Sequence, residues 1–125
     1  VLLEELGEAE VWLPLLVRFE MALLEEVGFG LDLSCCAATG VTTELTHVSP
    51  RSGRAVSLTA AQPYLDKMFV LPEFLLDPKA EADAADIRHA FVLLGHFLER
   101  RVYLPNGMAI PAARERLMDV LNRRA

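Results

Sequence analysis

From Ala82 to Val102 the apolar side chains Ile87, Phe91, Leu94, Leu98 and Val102 fall three and four residues apart, and Ala90 and Phe97 widen the stripe. That spacing closes on one face of an α-helix and on no face of a strand. A helix of this length with an unbroken apolar face needs covering surfaces, so the rest of the chain has to pack around it. Asp83 and Asp86 suit its positive N-terminal end, and Arg100 and Arg101 suit its negative C-terminal end.

A second helical pattern runs from about Glu8 to Val27. Leu16, Phe19, Leu23 and Val27 recur along it, with Trp12 and Leu15 beside them. Pro14 belongs in its first turn, or it kinks the helix. Gly28 suits a left-handed C-terminal cap, and Gly30 permits a sharp turn. Near the end of the chain, Leu104–Ile110 reads as a turn around Asn106-Gly107. Pro111 then opens a last helix, with Ala113, Leu117, Val120 and Leu121 facing inward.

Between these helices the character changes. Residues 31–57 lose helical spacing and gain glycine, threonine and serine. Leu45–Val48 and Arg54–Ser57 predict a small hairpin around Ser49-Pro50-Arg51-Ser52-Gly53. Thr59-Ala60-Ala61-Gln62 has the form of a capping box and predicts a short helix to about Met68, with Pro63 near its first turn. Pro72 and Pro78 bracket a helical turn at Glu73–Leu76. The expected architecture is mainly α: one domain over residues 1–125, a small bundle of four or five helices with an insert at about 31–57.

Of the 125 residues 53% are hydrophobic, above the usual range for a soluble domain. That excess suits a surface covered by a neighbouring domain or a partner. No run of about 18 uncharged apolar residues suggests a membrane span. The start, Val1–Leu6, is broken by Glu4 and Glu5 and lacks the basic lead of a signal peptide, so it reads as the cut end of a helix belonging to a longer protein. Cys35 and Cys36 are adjacent and form no disulfide framework, which points to a reducing cytoplasm.

The net charge of −6 is unevenly spread. Residues 1–50 hold nine acidic side chains and one basic one, Arg18, whereas residues 88–125 hold seven basic and three acidic. An acidic chain is a poor nucleic-acid binder overall, because phosphate contacts need clustered Lys and Arg. The basic C-terminal end suits an acidic peptide, or support of a DNA site elsewhere.

Glu20 stands out. Its neighbours at helical spacing are Leu13, Leu16, Val17, Leu23, Leu24 and Val27, which places a carboxylate on an inward face. An unpaired buried charge costs several kcal/mol or more, so Glu20 has to find a partner. Arg51, Arg54, Arg100 or backbone amides of the insert are the candidates. A catalytic acid needs a second convergent group, and none is identifiable. Ser49-Pro50-Arg51-Ser52-Gly53-Arg54 lacks the glycine spacing and lysine of a phosphate loop and reads as a structural turn. Cys36 and His47 lack the elbow sequence and orienting acid of a nucleophile–base pair. His89 and His96 lie seven residues apart on one helix face with no third ligand, and His96 fits the edge of the core.

Arg18-Phe19-Glu20, Leu23-Leu24, Gly28-Phe29-Gly30-Leu31, Cys36-Ala37-Ala38-Thr39-Gly40, Val48-Ser49-Pro50-Arg51-Ser52-Gly53-Arg54-Ala55-Val56, Gly95-His96-Phe97-Leu98-Glu99-Arg100 and Pro111-Ala112-Ala113-Arg114-Glu115 come in this order. Together, over nearly the whole chain, they resemble the C-terminal domain of the RecO family of DNA-repair and recombination mediators. The resemblance implies a helical partner-binding region whose N-terminal OB-fold, the main DNA-binding part, is absent from this chain. It implies no enzymatic activity, a bacterial cytoplasmic and nucleoid-associated location, and recombinase loading and gap repair. The implied partners are RecR, the acidic C-terminal tail of single-stranded-DNA-binding protein, and RecF.

Many family members carry a zinc ribbon in the insert. The corresponding positions here are Cys36, Thr39, Ser49 and Ser52, which retain the two-residue spacing but a single thiolate. Structural zinc takes four thiolate or imidazole ligands. Even with Cys35 and His47 nearby, the expectation is no metal and no other cofactor, with hydroxyl hydrogen bonds and packing in the ion's place. The resemblance also gives the arginines a role. Arg18, Arg100, Arg101 and Arg114, with Arg116 nearby, are expected to border a site for the acidic tail, where planar guanidiniums suit carboxylates. The ordinary reading is helix-end compensation for the last four and helical charge pairing for Arg18. The rival functional class is a small ligand- or effector-binding regulator with the insert as a lid; convergent polar groups in a pocket distinguish it from a shallow apolar groove with an arginine rim.

Overall fold

A computed structural model of the chain describes residues 2–77, 79–109 and 111–124, with side chains described from residue 13 to residue 119. Pro78, Ile110 and the inward faces expected of Trp12, Val120 and Leu121 lie outside what is described. The elements are α1 (Leu2–Glu26), β1 (Leu45–Val48), β2 (Ala55–Ser57), α2 (Leu58–Ala61), β3 (Phe69–Val70), α3 (Ala84–Leu98) and α4 (Ala112–Arg124). Tight 3-10 turns lie at Gln62–Lys67, Glu73–Leu75 and Leu104–Asn106, and a π-helical turn at Glu99–Tyr103. The fold is mainly α with one small antiparallel sheet, the expected class.

α3 is the hub. Asp83 accepts a hydrogen bond from the Asp86 amide at 2.8 Å, and Asp86 accepts one from the Asp83 amide at 3.1 Å, so two aspartates cap the helix reciprocally. Ile87, Ala90, Phe91, Leu93, Leu94, Phe97 and Leu98 are all buried. That set is wider than one stripe because α1 covers one side of α3 while the sheet covers another. The helix does not run regularly to Val102. After Leu98 it widens into the π-helical turn, which carries Arg100 and Arg101 into solvent.

α1 differs more from the sequence reading. It begins at Leu2, so Pro14 sits in the helix interior and not in the first turn. The buried stripe is Leu13, Val17, Glu20 and Leu24, while Leu15, Phe19 and Val27 are 67%, 64% and 47% exposed. The stripe that faces inward is thus the one containing the carboxylate. Gly28, at φ +83°, closes the helix: its amide reaches Glu25 O at 2.9 Å, and the Phe29 amide reaches Leu24 O at 2.8 Å. This paired C-terminal cap sends the chain back over the end of α3.

The sheet order is β2-β1-β3. β1 and β2 form the expected hairpin, with Val48 opposite Ala55. β3 pairs with the other edge of β1, Val48 opposite Phe69; two residues are too few to show alternation in a sequence. The cap of α2 is Ser57, whose hydroxyl accepts from the Ala60 amide at 3.4 Å, two residues ahead of the expected Thr59. Residues 32–37 line the β2 edge through Asp32 to Gly53 and Ala55, and through Ala37 to Ala55. Gly53, at φ +69°, lies in the left-handed region that favours glycine, and a Cβ there would stand 3.2 Å from the Leu31 side chain.

Candidate functional site

Where the hairpin tip meets the end of α3, Pro50, Arg51, His96, Phe97, Arg100 and Arg101 line an open groove of about 360 Å³. Each wall has a local cause. Gly53, in the left-handed region, turns the hairpin tip next to Phe97. His96 Nε2 donates to Pro50 O at 3.1 Å, which fixes the tip on the helix and means that this ring nitrogen carries a proton. The His96 ring lies edge-on to Phe97 and 5.0 Å from Phe69. The π-helical turn presents Arg100 and Arg101 on the opposite wall. The Arg101 guanidinium lies 4.0 Å over the Phe29 ring, which supports its face and leaves its N–H edges available.

Among the described residues, none of Arg51, Arg100 and Arg101 has a carboxylate partner. Glu99, Arg100, Arg101 and Leu104 line an adjoining hollow of about 530 Å³, and Leu104 is 61% exposed. Three guanidiniums without a carboxylate partner among the described residues, beside Pro50 and Leu104, have the donors to hold an anion flanked by apolar groups. They supply no nucleophile, and the one histidine present is engaged with a carbonyl.

The other expected arginines are elsewhere. Arg18 donates to Phe74 O, tying α1 to the Glu73–Leu75 turn more than two helical turns before Phe29. Arg114 is not on a rim. Its side chain is 10% exposed and grips the Glu20 side chain, which is 9% exposed, through Nε to Oε2 at 2.9 Å and Nη2 to Oε1 at 3.0 Å. Nη2 also donates to Phe91 O at 2.8 Å, and the guanidinium sits 5.1 Å from the Phe91 ring centroid. The partner of Glu20 is therefore Arg114 and not Arg51, Arg54 or Arg100. Arg54 instead meets Asp32, at 3.8 Å on the surface. Arg116 is exposed.

The insert positions divide the same way. Cys36 is buried, and its Sγ accepts the Ser57 amide at 3.3 Å. Burial pushes this thiol up, but hydrogen bonds with Thr39 and Ser57 outweigh it and bring the thiol down to about 6. Thr39, Ser49 and Ser52 each accept the backbone N–H two residues on, from Val41, Arg51 and Arg54, at 3.5, 3.3 and 3.3 Å. Among the described residues no three His, Cys, Asp or Glu side chains converge. One engaged cysteine sulfur and three hydroxyls that accept from their own backbone do not fit a tetrahedral zinc site. His47 pairs through Nδ1 with the Thr46 hydroxyl at 2.8 Å, its ring held below the ordinary histidine range by burial. No hydrogen bond joins it to Cys36 among the described residues. No described helix is long and apolar enough to cross a membrane.

The family model described as recombination protein O, C terminal, matches residues 1–107. A DNA repair protein RecO of Hyphomonas neptunium is 48% identical over 94% of this chain and 49% of its own length. One from Phenylobacterium zucineum is 48% identical over 94% and 48%. One from Beijerinckia indica is 53% identical over 91% and 46%. The chain thus spans about half the length of these relatives. No solved structure matches it.

Proposed function

Since the chain belongs to the recombination protein O C-terminal family, we propose that it is the partner-binding half of a DNA repair and recombination mediator and catalyses no reaction itself. In this reading the arginine groove receives the acidic C-terminal tail of single-stranded-DNA-binding protein. RecR and RecF engage other faces, and DNA is held mainly by an N-terminal OB-fold outside this chain. The activity served is recombinase loading onto coated single strands and gap repair in the bacterial cytoplasm. The observation that carries the reading is the trio Arg51, Arg100 and Arg101 around Phe97 and Pro50, free of carboxylates among the described residues. A tail that ends in acidic groups next to an apolar side chain complements both halves of that surface.

The effector-binding alternative calls for a pocket of convergent polar groups, whereas these hollows are open and walled by guanidiniums. We also propose that the insert keeps its shape without a metal, the hydroxyl contacts of Thr39, Ser49 and Ser52 and the buried Cys36 thiol taking the ion's place. The test of the groove is a fluorescence titration of a labelled acidic tail peptide. Arg100→Glu and Arg101→Glu should each weaken binding roughly tenfold or more, as loss of a charge-assisted contact does. Wild-type affinity in both variants refutes the assignment.

A further inference from the structure

We infer that Phe29 is a positioning residue for the arginine groove: its ring holds the Arg101 guanidinium ready for a carboxylate, which makes Arg101 the anchor and Arg51 and Arg100 the looser members. The inference rests on the groove taking an acidic tail. Phe29 is not among the residues that line the groove, and its place is set by the end of α1. The amides of Gly28 and Phe29 reach back to Glu25 O and Leu24 O, at 2.9 and 2.8 Å, and this cap fixes the backbone at Phe29. The half-buried ring then packs against Phe97 of α3, with 5.5 Å between centroids. The ring is thus held from α1 and from α3, and the Arg101 guanidinium lies 4.0 Å over it.

The stack changes what Arg101 gives up on binding. A surface arginine samples many rotamers, and gripping an anion freezes them, which weakens binding roughly threefold to tenfold. A guanidinium lying flat on a fixed ring has lost much of that freedom beforehand. Arg51 and Arg100 are exposed, and among the described residues neither has an aromatic face beneath it. The stack also sets direction. With one face against the ring, the N–H donors of Arg101 point outward in the guanidinium plane, where a carboxylate meets them two at a time. A lysine at this position brings the charge but neither the flat face nor the paired donors. Arg101 lines both the groove and the adjoining hollow, so the two share the braced cation.

Fluorescence titration of the labelled acidic tail peptide tests the role. Phe29→Leu keeps apolar bulk and removes the ring, and it should weaken binding at least roughly threefold. Phe29→Trp keeps a ring under the guanidinium, and it should bind at least roughly threefold more tightly than Phe29→Leu. In an Arg101→Ala background Phe29→Leu should cause no further loss. An equal loss in both backgrounds means that Phe29 only shapes the groove and overturns the inference, as does wild-type affinity in Phe29→Leu. In either case weakened binding in Arg100→Glu leaves the groove itself standing, whereas wild-type affinity in both Arg100→Glu and Arg101→Glu removes the groove and this role together. Should Phe29→Leu not fold, two lysine variants replace it. Arg101→Lys should then weaken binding at least roughly threefold more than Arg100→Lys, and equal losses overturn the inference.

Discussion

Gly95→Ala sets two opposed effects against each other, and the structure decides between them. Gly95 lies in the interior of α3, where alanine is favoured over glycine by about 1 kcal/mol. Against this, the added Cβ would stand 2.7 Å from Arg114 Nη1 and 3.4 Å from its Cζ. A flexible arginine end normally moves aside at little cost. This one is fixed by two hydrogen bonds to Glu20 and one to Phe91 O, so it moves only by breaking them. Each charge-assisted bond of this kind contributes about 1.5–3 kcal/mol. With part of the fork recovered after relaxation, the net effect is a loss of about 2 kcal/mol, or roughly 8 °C in Tm for a chain of this size. In an Arg114→Ala background the obstacle is gone, and the same substitution should stabilise by about 1 kcal/mol. Thermal melts of the wild type, both single variants and the double variant give the answer. The reasoning fails if Gly95→Ala shifts Tm in the same direction in both backgrounds.

Three further outcomes follow from the same contacts. Glu20→Ala strands the Arg114 guanidinium and should cost about 3 kcal/mol, read in urea unfolding; a midpoint equal to the wild type's counts against a buried clamp. Zinc in the purified chain should fall well below one ion per molecule, and a chelator should leave Tm unchanged; one full equivalent of zinc refutes the metal-free insert. Burial holds His47 below its ordinary value of 6.5, so the unfolded chain takes up this proton before the folded one does. The stability that a neutral His47 brings is therefore full above 6.5 and is lost as pH falls through the folded value. From neutral pH to about pH 5 the wild type should lose more stability than His47→Gln, and parallel curves would exclude the ring as the cause.

What the sequence announces is what local chemistry sets. The paired aspartates at Asp83 and Asp86, the cap at Gly28 and the turn around Ser49–Gly53 each act within a few residues, so spacing and residue type are enough to place them. The partner of Glu20 lies 94 residues away, and nothing around Arg114 distinguishes it from the exposed arginines that flank it in the sequence. The arginines divide by tertiary placement alone: Arg18 goes to a carbonyl on the Glu73–Leu75 turn, Arg114 goes inside, and Arg51, Arg100 and Arg101 form the groove. The capping box at Thr59 fails for a similar reason. Ser57 comes off β2 already extended, so it takes the cap two residues earlier than composition suggests.

The choice of buried face on α1 shows what the charge pair does for the fold. The helix has a second apolar stripe through Leu15, Phe19 and Leu23, and burying a phenylalanine is ordinarily worth about 1.5–3 kcal/mol. Apolar residues lie on both faces, Leu13, Val17 and Leu24 on one and Leu15 and Phe19 on the other, so hydrophobic burial alone does not make the choice. The observed rotation leaves Phe19 at 64% exposure and takes Glu20 to 7%. The pair with Arg114 and the carbonyl of Phe91 therefore fixes the rotation of α1 rather than adding net stability, since a buried ion pair often does no better than apolar residues of its size. Glu20→Leu combined with Arg114→Met separates the two roles. The double variant should keep stability within about 1 kcal/mol of the wild type, because apolar packing replaces the ions. Its α1 amides should then show doubled or broadened NMR resonances as both faces compete for the core. A double variant that is stable and gives one sharp set of α1 resonances would show that apolar packing alone selects the face.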